Sequence, residues 1–112
     1  MSINTSNENG IFILIPNGRF DGTVAPDAEK LINSAIEDGE SKIIVDFSET
    51  EFIASAGLRI IIITAKLLKP KNGIVALCSA NQQIKEVLDI SGFLALMNLH
   101  DSREEAFTKM NA

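Results

Sequence analysis

KIIVDFSETEFIASAGLRIIIITAKLLKPKNGIVALCS, residues 42 to 79, decides the fold. Lys42 to Phe47 is apolar and β-branched, the composition of a buried strand. Leu58, Ile61, Ile62, Ala65 and Leu68 recur at helical spacing, so a helix is expected from about Ser55 to Lys69, stopped by Pro70 and Asn72-Gly73. Ile74 to Ser79 then reads as another apolar strand. Two strands separated by a helix of this length cannot pair as a hairpin. The crossover makes them parallel neighbours in one sheet.

The same grammar extends both ways. Upstream, Ile11 to Ile15 reads as a strand, broken by Pro16-Asn17-Gly18, after which Arg19-Phe20 continues its pairing and Asp21-Gly22 turns the chain. A helix begins between Thr23 and Pro26, carries Ala28, Leu31, Ile32, Ala35 and Ile36 on one stripe, and ends at Asp38-Gly39. Downstream, a helix spans about Asn81 to Ile90, Leu96 to Leu99 forms a short strand, and Ser102 to Met110 an amphipathic helix. Ser48 to Glu51 reads as a polar connection. The expectation is one α/β domain over residues 1–112, built on a mostly parallel sheet, with residues 1–9 either flexible or pairing at an edge. At 112 residues there is room for a single core.

Composition removes several classes of function. Ten basic against fifteen acidic residues give a net charge of −5, which repels nucleic-acid phosphates and anionic lipid. No apolar run approaches the roughly 20 residues that span a bilayer, and the polar start MSINTSNENG lacks the features of a signal peptide. Cys78 is the only cysteine, which fits a reducing compartment. A cytoplasmic protein that binds neither nucleic acid nor membrane is expected.

No catalytic constellation is legible, and no enzyme activity or cofactor is expected. One His and one Cys, 22 residues apart, do not make a metal site. Neither GxGxxG nor GxxxxGK occurs. Ala54-Ser55-Ala56-Gly57 lacks the first glycine of a nucleophile elbow, and His100, the sole candidate base, follows on a different element. His100 reads as a strand-end or surface residue, and Cys78 as a small buried hydrophobe.

Phe52-Ile53-Ala54-Ser55-Ala56-Gly57-Leu58-Arg59 stands out because it sets a hydroxyl among small residues at a helix start. Two readings compete. Ser55 is a helix N-cap, with Gly57 present for close packing. Alternatively, Ser55 is an open acceptor for a phosphate, whose charge of about −1.5 to −2 suits a helix start. Arg59, one turn on, either assists that charge or is merely solvated. Ile60, Ile63 and Leu67 add a second apolar stripe beside the first, to be covered by neighbouring helices, by a partner or by a second copy in a homodimer.

Gly18-Arg19-Phe20-Asp21, the strand Ile43 to Phe47, the segment Phe52 to Leu58, and Ile84 to Phe93 (IKEVLDISGF) occur in an order that resembles the STAS domain of bacterial anti-sigma factor antagonists. The resemblance runs over roughly residues 10 to 108. It implies a four- or five-stranded sheet with about four helices packed largely on one face. It also implies a cycle in which the unphosphorylated protein binds an anti-sigma factor that is often its serine kinase. Phosphorylation then breaks the complex and a serine phosphatase resets it. The phosphorylated residue of the family's D-S-S/T-G-L motif falls on Ser55, and a nearby family acid falls on Asp21, which otherwise reads as a turn-former before Gly22. The motif's Asp and second hydroxyl are Ala54 and Ala56 here, while Gly57 and Leu58 match. The leading expectation is therefore an anti-sigma factor antagonist that controls transcription through Ser55. Its rivals are a STAS-like scaffold or accessory subunit of a transporter or signalling assembly in which Ser55 is silent, and a small enzyme, which the missing motifs disfavour.

Overall fold

Strands that are apolar at every position, rather than at alternate ones, need cover on both faces of their sheet. The computed structural model describes residues 3–95 and 97–111 and shows that cover. In chain order the elements are β1 (Ile3–Glu8), β2 (Ile11–Pro16), β3 (Gly18–Phe20), α1 (Ala25–Glu37), β4 (Lys42–Asp46), β5 (Thr50–Ile53), α2 (Ser55–Leu68), β6 (Ile74–Cys78), α3 (Gln82–Ile90), β7 (Asn98–His100) and α4 (Arg103–Met110). The main sheet has the order β1-β2-β4-β6-β7, antiparallel only at β1–β2. Leu14, Ile43, Val45, Val75 and Leu77 face a core shared with Ile32 and Ile36 of α1, Ile60, Ile61 and Leu68 of α2, and Ile84 and Leu88 of α3. The alternate residues Ile11, Ile13, Ile44, Ala76 and Cys78 face Ala106 and Met110 of α4. Three helices lie on one face and one on the other, as the expected α/β fold requires.

One open expectation is narrowed to the edge-pairing alternative, and three others are revised. Residues Ile3–Glu8 are an edge strand, turned into β2 at Asn9-Gly10, where both residues have positive φ (55° and 76°). Such a pair is what a two-residue hairpin of matching twist demands. Arg19-Phe20 does not prolong the β1–β2 pairing; β3 leaves the main sheet and pairs in parallel with β5 as a two-stranded sheet. The supposed polar connection therefore contains a strand: Thr50 is buried because its hydroxyl donates to the Pro16 carbonyl at 2.6 Å. The inner face of α2 is Gly57, Ile60, Ile61, Thr64 and Leu68, a stripe rotated from the expected one. Thr64 tolerates that position by donating to the Ile60 carbonyl at 2.7 Å. With Ile60 buried and Ile63 packed against the core, only Leu67 of the second stripe stays well exposed, at 41%. The short strand expected at 96–99 is observed at Asn98–His100, and Leu96 lies outside the described residues.

Candidate functional site

The small β3–β5 sheet determines where α2 begins. Ala54 N–H donates to the Phe20 carbonyl at 3.0 Å, which joins the end of β5 to the end of β3. One turn on, a Cβ at Gly57 would lie 2.7 Å from that carbonyl and 3.0 Å from both Phe20 Cγ and Ile53 Cγ1. Only glycine lets the helix start so close to β3. The cap position falls to Ala54, in extended conformation and with no side-chain cap bond. Ser55 is the first helical residue and is exposed. Its hydroxyl forms no hydrogen bond among the described residues, which removes the N-cap reading of Ser55.

Asp21 stands on the loop that faces this helix start. A Cβ built on Gly22 would meet the Ala56 Cβ at 4.0 Å, so the Asp21–Thr23 turn rests against the first turn of α2. Asp21 Oδ1 accepts from Thr23 N–H at 3.0 Å and from the Thr23 hydroxyl at 2.7 Å. Those two bonds, with Arg19 Nε 3.6 Å from Oδ2, hold the Asp21 carboxyl below its ordinary value. The Asp21 backbone carbonyl accepts from Val24 and Ala25 N–H and so starts α1. The turn-forming role of Asp21 is thus real, and it sits beside Ser55's helix at the same time.

The residues singled out in the sequence divide by what they touch. Gly57 is buried and Leu58 is half-buried against the core, so they build the site. Ala54 and Ala56 are half-buried and leave Ser55 without bulky neighbours. Ser55 and Arg59 face solvent. Two residues the sequence reading did not assign belong here as well: the Arg19 guanidinium, on a side chain 67% exposed, lies 4.7 Å above the centre of the Phe52 ring. Their spacing across β3 and β5 gave no signal, because the pairing itself was not foreseen. Asn81, the N-cap of α3, also donates to the Thr50 and Glu51 carbonyls at 3.3 and 3.1 Å, fixing α3 to the other side of β5.

The other reactive side chains are engaged elsewhere. His100 Nδ1 lies 3.3 Å from Glu105 Oε1 on α4. Cys78 is buried, and burial, reinforced by the charge of Asp46, pushes its thiol up to about 12. Asp46, 2% exposed, accepts from Arg103 Nε and Nη2 at 3.0 and 2.8 Å, and Arg103 Nη1 donates to Glu8 at 2.9 Å. Among the described residues no cluster of His, Cys, Asp or Glu is arranged to hold a metal, and no helix is long and apolar enough to cross a membrane. Shallow grooves of about 410 and 280 Å³ open between β1 and α1 and beside the start of β6, and neither is lined by Ser55 or Asp21. Ser55 and Arg59, both exposed at the start of α2, are open to contact with another macromolecule.

A STAS domain profile matches residues 2–106 of the sequence. The chain belongs to the STAS domain family. Among curated relatives, BtrV of Bordetella bronchiseptica, provisionally described as an anti-sigma factor antagonist, is 30% identical over 95% of this chain and 91% of its own. The anti-sigma F factor antagonist of Paenibacillus polymyxa is 25% identical over 98% of this chain and 95% of its own. Among solved structures, the anti-sigma factor antagonist SpoIIAA in its unphosphorylated form superposes with a TM-score of 0.86 at 20% identity, covering 97% of this chain and 96% of that one. The phosphorylated form of SpoIIAA, from Bacillus, gives 0.77 at 20% identity, with 96% and 98% covered. The STAS domain here thus shares the fold of these neighbours, and its helix start reads Ala54-Ser55-Ala56.

Proposed function

We propose that this STAS domain is a cytoplasmic anti-sigma factor antagonist whose grip on its partner is controlled by phosphorylation of Ser55. The observation that carries the reading is the exposed, unbonded Ser55 hydroxyl at the first position of α2, flanked by alanines and faced by the Asp21 turn. The relatives described as anti-sigma factor antagonists, and a structural neighbour known in phosphorylated and unphosphorylated forms, support it. In the reaction, Ser55 Oγ attacks the γ-phosphorus of ATP bound to a kinase-type anti-sigma factor. An O–P bond forms, the bond to the β-phosphate oxygen breaks, ADP leaves, and the hydroxyl proton passes to a base of the kinase. A phosphatase returns the hydroxyl by hydrolysis, releasing inorganic phosphate. The unphosphorylated domain holds the anti-sigma factor and so frees a sigma factor for transcription. The added charge of about −2 sits on the docking surface and drives the partner off by desolvation and repulsion. The domain acts by binding, not by turnover.

The test is incubation with ATP and candidate kinase-type anti-sigma factors, read by intact mass and by pull-down. One phosphate on Ser55, with binding kept by Ser55→Ala and lost by Ser55→Asp, supports the reading. Binding indifferent to both variants refutes it and favours a scaffold or accessory-subunit role, the reading to which Ala54 and Ala56, in place of the motif's acid and second hydroxyl, lend weight.

A further inference from the structure

The helical neighbours of Arg59 at three and four positions before and after it are Ala56, Ser55, Ile62 and Ile63. Side chains at these spacings are the ones that meet on a helix surface. Three of the four are apolar, so Ser55 is the single intrahelical position from which Arg59 can receive a polar partner. Both residues are exposed, and Arg59 forms no ion pair among the described residues. The nearby cation Arg19 is already engaged by Phe52 and Asp21. Asp21, on the loop that faces this helix start, has its carboxylate engaged by Thr23 and Arg19 and not by Arg59. The residue before the serine is Ala54, so no neighbouring carboxylate competes there either.

We infer that Arg59 is a positioning residue for the phosphorylated state: it captures the phosphate on Ser55 in an ion pair along the exposed face of α2. The inference rests on the proposed modification of Ser55 and adds what holds the phosphate once it is made. The anion precedes the cation by four residues, which is the favourable order on a helix. Arginine can present two N–H groups to two phosphate oxygens, so the pair fixes direction as well as distance. In the unphosphorylated domain the same guanidinium is free to meet an acidic group of the docked protein. The phosphate therefore acts twice, by adding charge to the surface and by withdrawing a cation from it.

The test uses the full chain with phosphoserine placed at residue 55 during translation, so that no kinase is needed. The probe is the phosphorus-31 titration of that phosphate, compared in the parent, Arg59→Gln and Arg59→Lys. A free phosphoserine titrates near ~6. The expected result is a midpoint higher in Arg59→Gln than in the parent by on the order of 0.3 pH units, with Arg59→Lys in between, and a difference that shrinks in about 1 M salt. Equal midpoints in parent and Arg59→Gln at low salt overturn the inference. Failure of every candidate kinase to modify Ser55 would instead count against the proposed function and leave this ion pair untouched.

Discussion

Replacing Gly57 by alanine adds one methyl group where the start of α2 presses on β3. The new Cβ would sit 2.7 Å from the Phe20 carbonyl, against the 3.4 Å at which ordinary contact begins, a deficit of 0.7 Å, and 3.0 Å from two further carbons. The carbonyl cannot swing away, since it accepts from Ala54 N–H and Phe20 is wholly buried. Overpacking of this kind costs about 1 to 3 kcal/mol, and the better helix propensity of alanine returns at most about 1, so a net loss of roughly 1 to 2 kcal/mol is expected. For a urea slope of about 1 to 3 kcal/mol per molar, the unfolding midpoint falls by roughly 0.3 to 2 M. Gly22→Ala is the control, because its Cβ meets only Ala56 at 4.0 Å, and it should stay within about 0.5 kcal/mol of the parent. Urea unfolding of the three proteins, followed by far-ultraviolet circular dichroism (the chain has no Trp), reads the difference. A Gly57→Ala protein as stable as the parent would mean that the helix start is not wedged against β3, and the geometry assigned to Ser55 would go with it.

Two further outcomes are expected. Arg103→Ala leaves the Asp46 carboxylate buried without its partner and should destabilise by about 3 kcal/mol, while the Asp46→Ala/Arg103→Ala double variant should lose clearly less than the sum of the singles. Additive losses in chemical denaturation would refute the coupling. The Asp21 carboxyl should titrate below 3.8 in the folded protein, because its two bonds from Thr23 favour the charged form. Its contribution to stability is then complete above the unfolded value and disappears as the pH falls through the folded midpoint. Carbon-13 NMR should show the midpoint rising in Thr23→Ala; an unmoved midpoint contradicts the bonding.

Much of this architecture is legible in one sequence because each signal is local. KIIVDF and IVALCS announce buried strands through unbroken β-branched runs, and Pro26, Gly39 and Pro70 punctuate the helices. The residues gathered around Ser55 are contiguous, so their assembly needed only a helix start between Ala54 and Ser55, which is what forms. What escaped depends on partners distant in sequence. Thr50 looks like loop until the Pro16 carbonyl, 34 residues away, accounts for its burial. For residues 1–9 the sequence leaves flexibility and edge pairing both open, because Ile3 is the only apolar residue of the strand before the Asn9-Gly10 hairpin signal. The rotation of α2 follows from Gly57 and Thr64 turning inward, a glycine for proximity and a threonine by bonding to its own helix. Periodicity alone ranks both below the isoleucines.

The Arg103 fork carries a consequence for how the chain matures. It ties together residues 8, 46 and 103, contacts spanning 57 and 95 positions. Ile11, Ile13, Ile44, Ala76 and Cys78 therefore wait without cover until residues 103–110 have left the ribosome. A nascent or truncated chain that stops before α4 would hold its first helices yet present a bare aliphatic strip and an accessible thiol, the surface that chaperones and proteases bind. That strip closes only when α4 folds back across it.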